Sequence, residues 1–125
     1  MTAMQMRLEL VPLPTSDVDR SKAFYVDQVG FVLDHDVEPG NGLRVVQLTP
    51  PGSSCSIVVG TGMGDPSAPR VHGLHLVVDD IAAARGELAG RGVDVSEVSD
   101  VGGGIRYAYF ADPDGNSWAL QQLSR

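Results

Sequence analysis

The sequence FADPDGNSWALQQL, residues 110–123, places an acidic turn between two apolar runs. Asp-Pro-Asp-Gly is typical of a tight turn, because proline fixes φ, aspartate side chains accept hydrogen bonds from nearby amides and glycine tolerates positive φ. We therefore predict that a strand at 105–110 meets a strand at 117–123 here. Asp112 and Asp114 are expected to stabilise this turn and not to act as a general acid and base.

The elements before this turn repeat an order already present in the first half of the chain. Each half has a strand, a capped helix and three further strands, judged from the spacing of apolar residues. Asp17-Val18 corresponds to Asp80-Ile81, so the unit recurs after roughly 60 residues. The predicted elements are 8–14, 16–29, 31–37, 43–49 and 55–60 in the first unit and 74–78, 79–90, 93–98, 105–110 and 117–123 in the second.

Capping and proline residues set the predicted boundaries of the first strand and helix. Ser16 is the predicted N-cap of the helix, with Asp17 and Asp19 in its first turn, where negative charge is favourable. Pro12 and Pro14 cannot donate to a strand ladder, so we expect this strand at a sheet edge or a bulge.

The segment GTGMGDPSAPR, residues 60–70, is predicted to link the two units. Its GTGMG resembles part of a glycine-rich phosphate loop. Pro66 and Pro69 prevent the helix that such a loop requires, so no dinucleotide cofactor is expected. The sequence thus predicts an α+β fold in a single domain, with a first module at 6–60, a linker at 61–70 and a second module at 71–125.

Composition argues against several classes of partner. The 125 residues, of which 42% are hydrophobic, suit one globular domain. A net charge of -7 repels phosphate backbones and anionic lipids, so neither nucleic acid nor membrane is an expected partner. The single cysteine, Cys55, cannot form an internal disulfide. We therefore expect a cytoplasmic protein in a reducing compartment.

Three stretches together resemble the vicinal oxygen chelate superfamily, which includes glyoxalase I, extradiol dioxygenases, fosfomycin resistance proteins and bleomycin-binding proteins. They are SDVDRSKAFYVDQVGF at 16–31, HLVVDDIAAARGELAGRGV at 75–93 and FADPDGNSWALQQ at 110–122. The resemblance implies two βαβββ modules whose sheets curl into a cup around a ligand, often completed across a homodimer. A homodimer is accordingly expected here, with SWALQQL on one wall of the cup.

The same resemblance indicates where a metal would bind. Metal-dependent relatives hold a divalent ion with four His, Gln or Glu side chains. The equivalent positions in this chain are Leu10, Ile57, Gly73 and Ala119. Their side chains carry no oxygen or nitrogen donor. A two-residue shift in register would bring in His75 and Gln121, which still supply only two donors. No metal cofactor is therefore expected.

Strand alternation from these positions indicates which side chains face the cup. The expected cup has an apolar floor, and tyrosine rings, glutamine amides and one histidine ring lie around it. Such a surface suits a mostly apolar or aromatic ligand with a few hydrogen-bonding groups. Core packing is the alternative for the tyrosines, and Trp118, with the opposite parity, is expected in the core. The predicted ligand-binding residues are Leu10, Gln47, Ile57, His75, Tyr107, Tyr109 and Gln121.

Three functions are compatible with this pattern. The favoured one is a metal-independent binding protein that sequesters an aromatic or heterocyclic compound, as in the bleomycin-resistance branch. The second is a metal-dependent glyoxalase-like lyase or dioxygenase, which needs ligands that the sequence lacks. The third is a metal-free isomerase or cyclase that uses His75 or a tyrosine as an acid or base. No catalytic residue is assigned under the favoured reading.

Overall fold

The computed structural model describes residues 3–123, which form two βαβββ modules. The first module contains β1 (Leu10–Pro12), α1 (Val18–Ala23) with a π-helical continuation (Phe24–Val29), β2 (Val32–Gly40), β3 (Leu43–Thr49) and β4 (Ser56–Thr61). The second contains β5 (Leu74–Val77), α2 (Ile81–Gly90), β6 (Ser99–Asp100), β7 (Arg106–Ala111) and β8 (Ser117–Gln122). The predicted α+β fold of repeated modules is confirmed.

Each module has its own four-stranded mixed sheet. The strand orders are β1-β4-β3-β2 and β5-β8-β7-β6. The first strand of each module pairs in parallel with the last, and the other pairs are antiparallel. β1 and β5 therefore occupy sheet edges, as the prolines near β1 predict.

Both sheets bury one face in the same hydrophobic core. The first sheet contributes Val46, Leu48, Ile57 and Val59, and the second contributes Ala108, Phe110, Trp118 and Leu120. The π-helical continuation of α1 contributes aromatic rings to this core, and Tyr25 packs against Trp118 with ring centroids 5.9 Å apart. The opposite faces carry the partly exposed side chains of Leu10 and Tyr109, together with the buried Val58 and Ala119. We call them the open face of module one and the open face of module two.

A buried polar network joins the two modules beside the aromatic core. The Tyr25 hydroxyl donates to the Asp112 carboxylate at 2.7 Å and accepts from the Trp118 indole N–H at 2.9 Å. The Asn116 side-chain amide donates to Asp112 at 2.8 Å and to the Pro14 carbonyl at 3.0 Å. Burial raises the pKa of Tyr25 far above its ordinary value, and the Asp112 charge raises it further. Tyr25 therefore remains a hydrogen-bond donor.

The acidic turn also fixes the start of α1, which corrects one sequence prediction. Asp114 accepts hydrogen bonds from the Thr15 hydroxyl at 2.6 Å and from the Ser16 amide at 2.9 Å. Burial pushes the pKa of Asp114 upward, but these bonds outweigh it and hold the pKa below its ordinary value. Ser16 is therefore not the N-cap. Asp17 caps the helix and accepts from the Arg20 amide at 3.1 Å.

Two predicted strands differ from the observed ones. The strand predicted at 8–14 is limited to Leu10–Pro12, and its N-terminal end lies where β4 begins, at Ser56 opposite Leu10. The strand predicted at 93–98 is absent, and β6 forms only at Ser99–Asp100. Val93 and Val95 are buried in the core instead. The alternating apolar residues of this segment therefore pack against the core without pairing to a neighbouring strand.

β2 is a long and irregular edge strand. It joins β3 through Asn41 and Gly42, whose φ values of 57° and 74° match a two-residue type I′ turn. The pairing of β2 with β3 shifts twice, between Leu33 and His35 and between Val37 and Gly40. Each shift is a bulge that bends the strand and changes which side chains share a face.

The close approach of chain segments at Gly60 gives a stability prediction. A Cβ atom there would collide with the Arg44 carbonyl oxygen and the Met63 side chain, whereas one at Gly86 in α2 would meet nothing within 4 Å. We expect Gly60→Ala to lower the free energy of unfolding by about 1–3 kcal/mol. The matched Gly86→Ala should raise it by roughly 0.5–1 kcal/mol through better helix propensity. Urea unfolding measures both, and equal effects would contradict the structure at Gly60.

Two further sequence expectations concern helices and the cysteine. No helix within residues 3–123 is long and apolar enough to cross a membrane. Cys55 is half-buried and is not part of a disulfide.

Candidate functional site

Four of the predicted ligand-binding residues lie together on the open face of module two. The Tyr107 and Tyr109 rings are nearly parallel, with an interplanar angle of 12° and centroids 6.0 Å apart. The His75 and Tyr107 rings are perpendicular, with centroids 5.8 Å apart. Gln121 donates its side-chain amide to the Tyr107 hydroxyl at 2.9 Å. Tyr109 is 49% exposed, so part of this aromatic surface can accept a ligand.

The orientation of His75 leaves one ring nitrogen available. Its Nδ1 lies 2.7 Å from the Gly73 carbonyl oxygen, which can only accept, so Nδ1 carries the proton. In the neutral ring Nε2 is then a hydrogen-bond acceptor. A ligand that donates an O–H or N–H group could bind there, beside the tyrosine rings.

Two other predicted residues, Leu10 and Gln47, lie on the open face of module one. Leu10 is opposite Ser56, and Gln47 is opposite both Val58 and His35. The structure therefore does not bring these two side chains to the sheet that carries the tyrosines. His35 was missed by the sequence analysis, because the bulge in β2 moves it to this face.

Ile57 corrects the predicted list of ligand-binding residues. Its pairing partners are Val11 and Leu48, and it packs with Leu48 in the core. With 3% of its surface exposed, Ile57 cannot contact a ligand on the open face. The prediction that it lines the cup is wrong, because a register error of one residue moves a strand side chain to the opposite face.

Trp118, Arg44 and Arg106 are held by contacts within the fold. Trp118 lies in the core, as its parity predicted. Arg44 bonds to Asp36 and Asp19, which ties β3 to β2 and α1. Arg106 lies 3.7 Å from Asp100 in an exposed ion pair.

The repeated order of elements in the two modules agrees with a comparison of the chain with known families. The model of the Glyoxalase/Bleomycin resistance protein/Dioxygenase superfamily matches residues 7–120. The chain belongs to this superfamily. The match includes both modules and the Asp-Pro-Asp-Gly turn that joins β7 to β8.

Two solved structures and one curated protein resemble the chain over almost its entire length. TnmS3, an antibiotic binding protein from Streptomyces sp. CB03234, is 36% identical, with a TM-score of 0.83 and coverage of 98% of this chain and 100% of that one. A glyoxalase/bleomycin resistance protein from the same organism is 37% identical, with a TM-score of 0.78 and coverage of 93% and 100%. The uncharacterized protein YwbC of Bacillus subtilis (strain 168) is 27% identical over an alignment of 120 residues, with coverage of 90% of this chain and 94% of YwbC.

The four positions to which the resemblance assigns metal ligands offer no donor side chain for a divalent ion. Leu10 and Ala119 lie on the open faces, Gly73 has no side chain and Ile57 is buried, so none of the four provides a donor. Among residues 3–123, no group of three or more His, Cys, Asp or Glu side chains could hold a metal. No chemical step is therefore assigned to a metal at this site.

A separate cavity of about 460 Å³ lies between the end of β1 and the 60–71 segment. Its walls are largely apolar, and Thr15 and Ser16 lie on its lining. Both hydroxyls are already bonded to Asp114. This cavity lacks the aromatic rings and the available acceptor found on the open face of module two, which is therefore the better candidate for ligand recognition.

Proposed function

We propose that this protein binds and sequesters an aromatic or heterocyclic small molecule without a metal ion. The observation that carries the proposal is the pair of parallel tyrosine rings on the open face of module two, where Tyr109 is half-exposed. A planar ligand stacked on these rings would bury apolar surface and gain a favourable ring geometry. The 36% identity with an antibiotic binding protein supports this class of function.

Polar groups beside the rings would set the orientation of the ligand. His75 offers an acceptor at Nε2, and Gln121 keeps its carbonyl oxygen available while its amide bonds to Tyr107. A few directional groups around an apolar surface are the usual arrangement of small-molecule sites. The net charge of -7 favours a neutral or cationic ligand over an anionic one.

We further propose that the protein acts as a homodimer. Each sheet buries one face in the shared core and leaves the other exposed, so an open face has no second wall from the described part of its own chain. Module one of a second copy would supply that wall and bring Leu10, His35 and Gln47 toward the tyrosines.

A half-buried free cysteine and the absence of disulfide pairing support a cytoplasmic location.

Equilibrium binding of a planar probe tests the sequestration proposal. Proflavine, a cationic acridine, should bind with a dissociation constant in the micromolar range or below, measured by calorimetry. Acridone, which is planar and uncharged, is the control ligand that shows how much the charge of proflavine contributes to its affinity. Both affinities should be unchanged after dialysis against EDTA and after addition of zinc, nickel or manganese, because the site offers no adequate donor set.

The same titration separates the alternative functions. Loss of binding after EDTA treatment, restored by one metal, would contradict metal independence and favour a lyase or dioxygenase. Chromatography of the recovered probe should show it chemically unchanged. Conversion of the probe that is lost in His75→Ala while binding persists would instead favour a metal-free enzyme.

A further inference from the structure

A bulge in β2 brings the Asp34 carboxylate to the open face of module one. β2 pairs with β3 at Leu33 and again at His35, which leaves Asp34 as the extra residue between them. A bulge re-aims the side chains around it. The Asp34 carboxylate accepts a hydrogen bond from the Thr49 hydroxyl. Thr49 lies two residues from Gln47 on β3 and therefore shares its face.

A chain of hydroxyl groups fixes the position of this carboxylate. The Thr49 and Ser56 hydroxyl oxygens are 2.6 Å apart. Because Thr49 donates its single hydroxyl hydrogen to Asp34, Ser56 is the donor to Thr49. Ser56 is 5% exposed, so the chain begins at a buried residue and ends at an exposed carboxylate. A carboxylate held in this way loses little conformational freedom when a ligand binds to it.

The charge of Asp34 has no cationic partner among residues 3–123. In this part of the chain no Lys, Arg or His side chain forms an ion pair with Asp34, and its Oδ1 oxygen receives no hydrogen bond. Asp36, two residues further along the same strand, is bonded to Lys22 at 2.7 Å and to Arg44 at 3.0 Å. The strand therefore carries one carboxylate whose charge the protein neutralises and one whose charge it does not.

We propose that Asp34 binds a cationic nitrogen group of the ligand, which donates an N–H hydrogen to Oδ1. Hydrogen bonds between two ionised groups are roughly twice as strong as those between neutral groups. Within residues 3–123, Asp34 belongs to no group of three or more possible metal-binding side chains, so an organic cation suits the site better than a metal ion.

This inference rests on the proposed function, in which module one of one copy forms the wall opposite the tyrosines of the other. A planar ring system stacked on Tyr107 and Tyr109 would then present its charged nitrogen to the wall that carries Asp34. The aromatic rings would bind the flat part of the ligand, and the carboxylate would select ligands that carry a positive charge.

Calorimetric titration of Asp34→Asn with proflavine and acridone tests this assignment. Asparagine keeps the size of the side chain and removes its charge, so the affinity for proflavine should fall by about tenfold or more. Acridone is uncharged, and its affinity should change by less than about threefold. Because damage to the fold would weaken both ligands, the ratio of the two affinities isolates the contribution of the charge.

Asp36→Asn is the matched control on the same strand. It removes an equal charge, but Asp36 is already paired with Lys22 and Arg44. The affinity for proflavine should change by less than about threefold at physiological ionic strength, because salt screens charges that do not contact the ligand. A loss as large as that in Asp34→Asn would show that proflavine responds to the total charge of the protein, which would overturn the inference.

Variants of Thr49 test whether the hydroxyl chain positions the carboxylate. Thr49→Val keeps the shape of the side chain and removes the donor to Asp34, so proflavine affinity should fall by about threefold to tenfold while acridone affinity is retained. Thr49→Ser keeps the hydroxyl and should restore proflavine affinity to within about twofold. Equal proflavine affinities of the valine and serine variants would contradict a positioning role for Thr49.

Other results would overturn the inference and differ in what they imply. Unchanged proflavine affinity in Asp34→Asn, or an equal loss of affinity for both ligands, would remove Asp34 from the site and leave the proposed function in place. If the original protein bound neither proflavine nor acridone, the proposed function would fail together with this inference.

Discussion

Asp112→Ala is expected to lower the free energy of unfolding by about 3–5 kcal/mol, a large share of the roughly 5–15 kcal/mol that stabilises a typical domain. The Asp112 carboxylate accepts four hydrogen bonds, from the Tyr25 hydroxyl at 2.7 Å, the Asn116 side chain at 2.8 Å, and the Asn116 and Asp114 amides at 2.9 and 3.0 Å. Alanine would leave these donors unpaired, and the Tyr25 and Asn116 groups are buried. Guanidinium unfolding provides the measurement.

Asp94→Ala is the control for this substitution. Asp94 is exposed, and no bond to a described residue involves its side chain in the structure, so its loss should change stability by less than about 0.5 kcal/mol. The loss at Asp112 should also weaken the junction between the modules, because Tyr25 and Asp112 belong to different modules. If Asp112→Ala were as stable as Asp94→Ala, the buried polar network would not hold the modules together.

The double variant Tyr107→Leu with Tyr109→Leu should weaken proflavine binding by about tenfold to a hundredfold. Leucine keeps apolar bulk on the strand but removes two ring faces, each worth about 0.5–1.5 kcal/mol in stacking geometry. Neither tyrosine belongs to the core cluster, so the fold should tolerate the exchange. Calorimetric titration measures the affinity, and urea unfolding verifies that the variant is folded.

Phenylalanine variants separate ring stacking from hydrogen bonding. Tyr109→Phe keeps the ring and should retain proflavine affinity within about threefold. Tyr107→Phe removes the oxygen that accepts from Gln121, which frees the amide for a ligand without removing the stacking surface. If the double leucine variant bound proflavine as well as the original protein, the open face of module two would not be the site.

Local sequence signals predicted most of the elements. The turn residues at 112–116, a capped second helix and the edge position of the first strand follow from residues within each element, and all three are observed. The segment at 93–98 was misassigned, because alternating burial occurs there without a neighbouring strand. Alternating apolar residues indicate which side chains are buried, but they do not show that the segment pairs with a neighbouring strand.

The face of a strand residue was predictable only where the strand was regular. His75, Tyr107, Tyr109 and Gln121 follow simple alternation along β5, β7 and β8, and the structure brings them together. Regular pairing from Leu33 opposite Leu48 would have placed His35 opposite Val46 on the buried face. The bulge at Asp34 places it opposite Gln47 instead. No feature of the isolated sequence marks that bulge.

The same irregular strand bears on the solubility of the protein. Val32, Leu33 and Val37 are exposed on β2, a nine-residue strand at the edge of the sheet. Exposed apolar edge strands can pair with strands of other chains and form fibres. Two bulges, a proline and several acidic side chains in β2 prevent an incoming strand from forming a continuous ladder of backbone hydrogen bonds. The irregularity that moves His35 to the open face of module one therefore also limits open-ended aggregation at this edge.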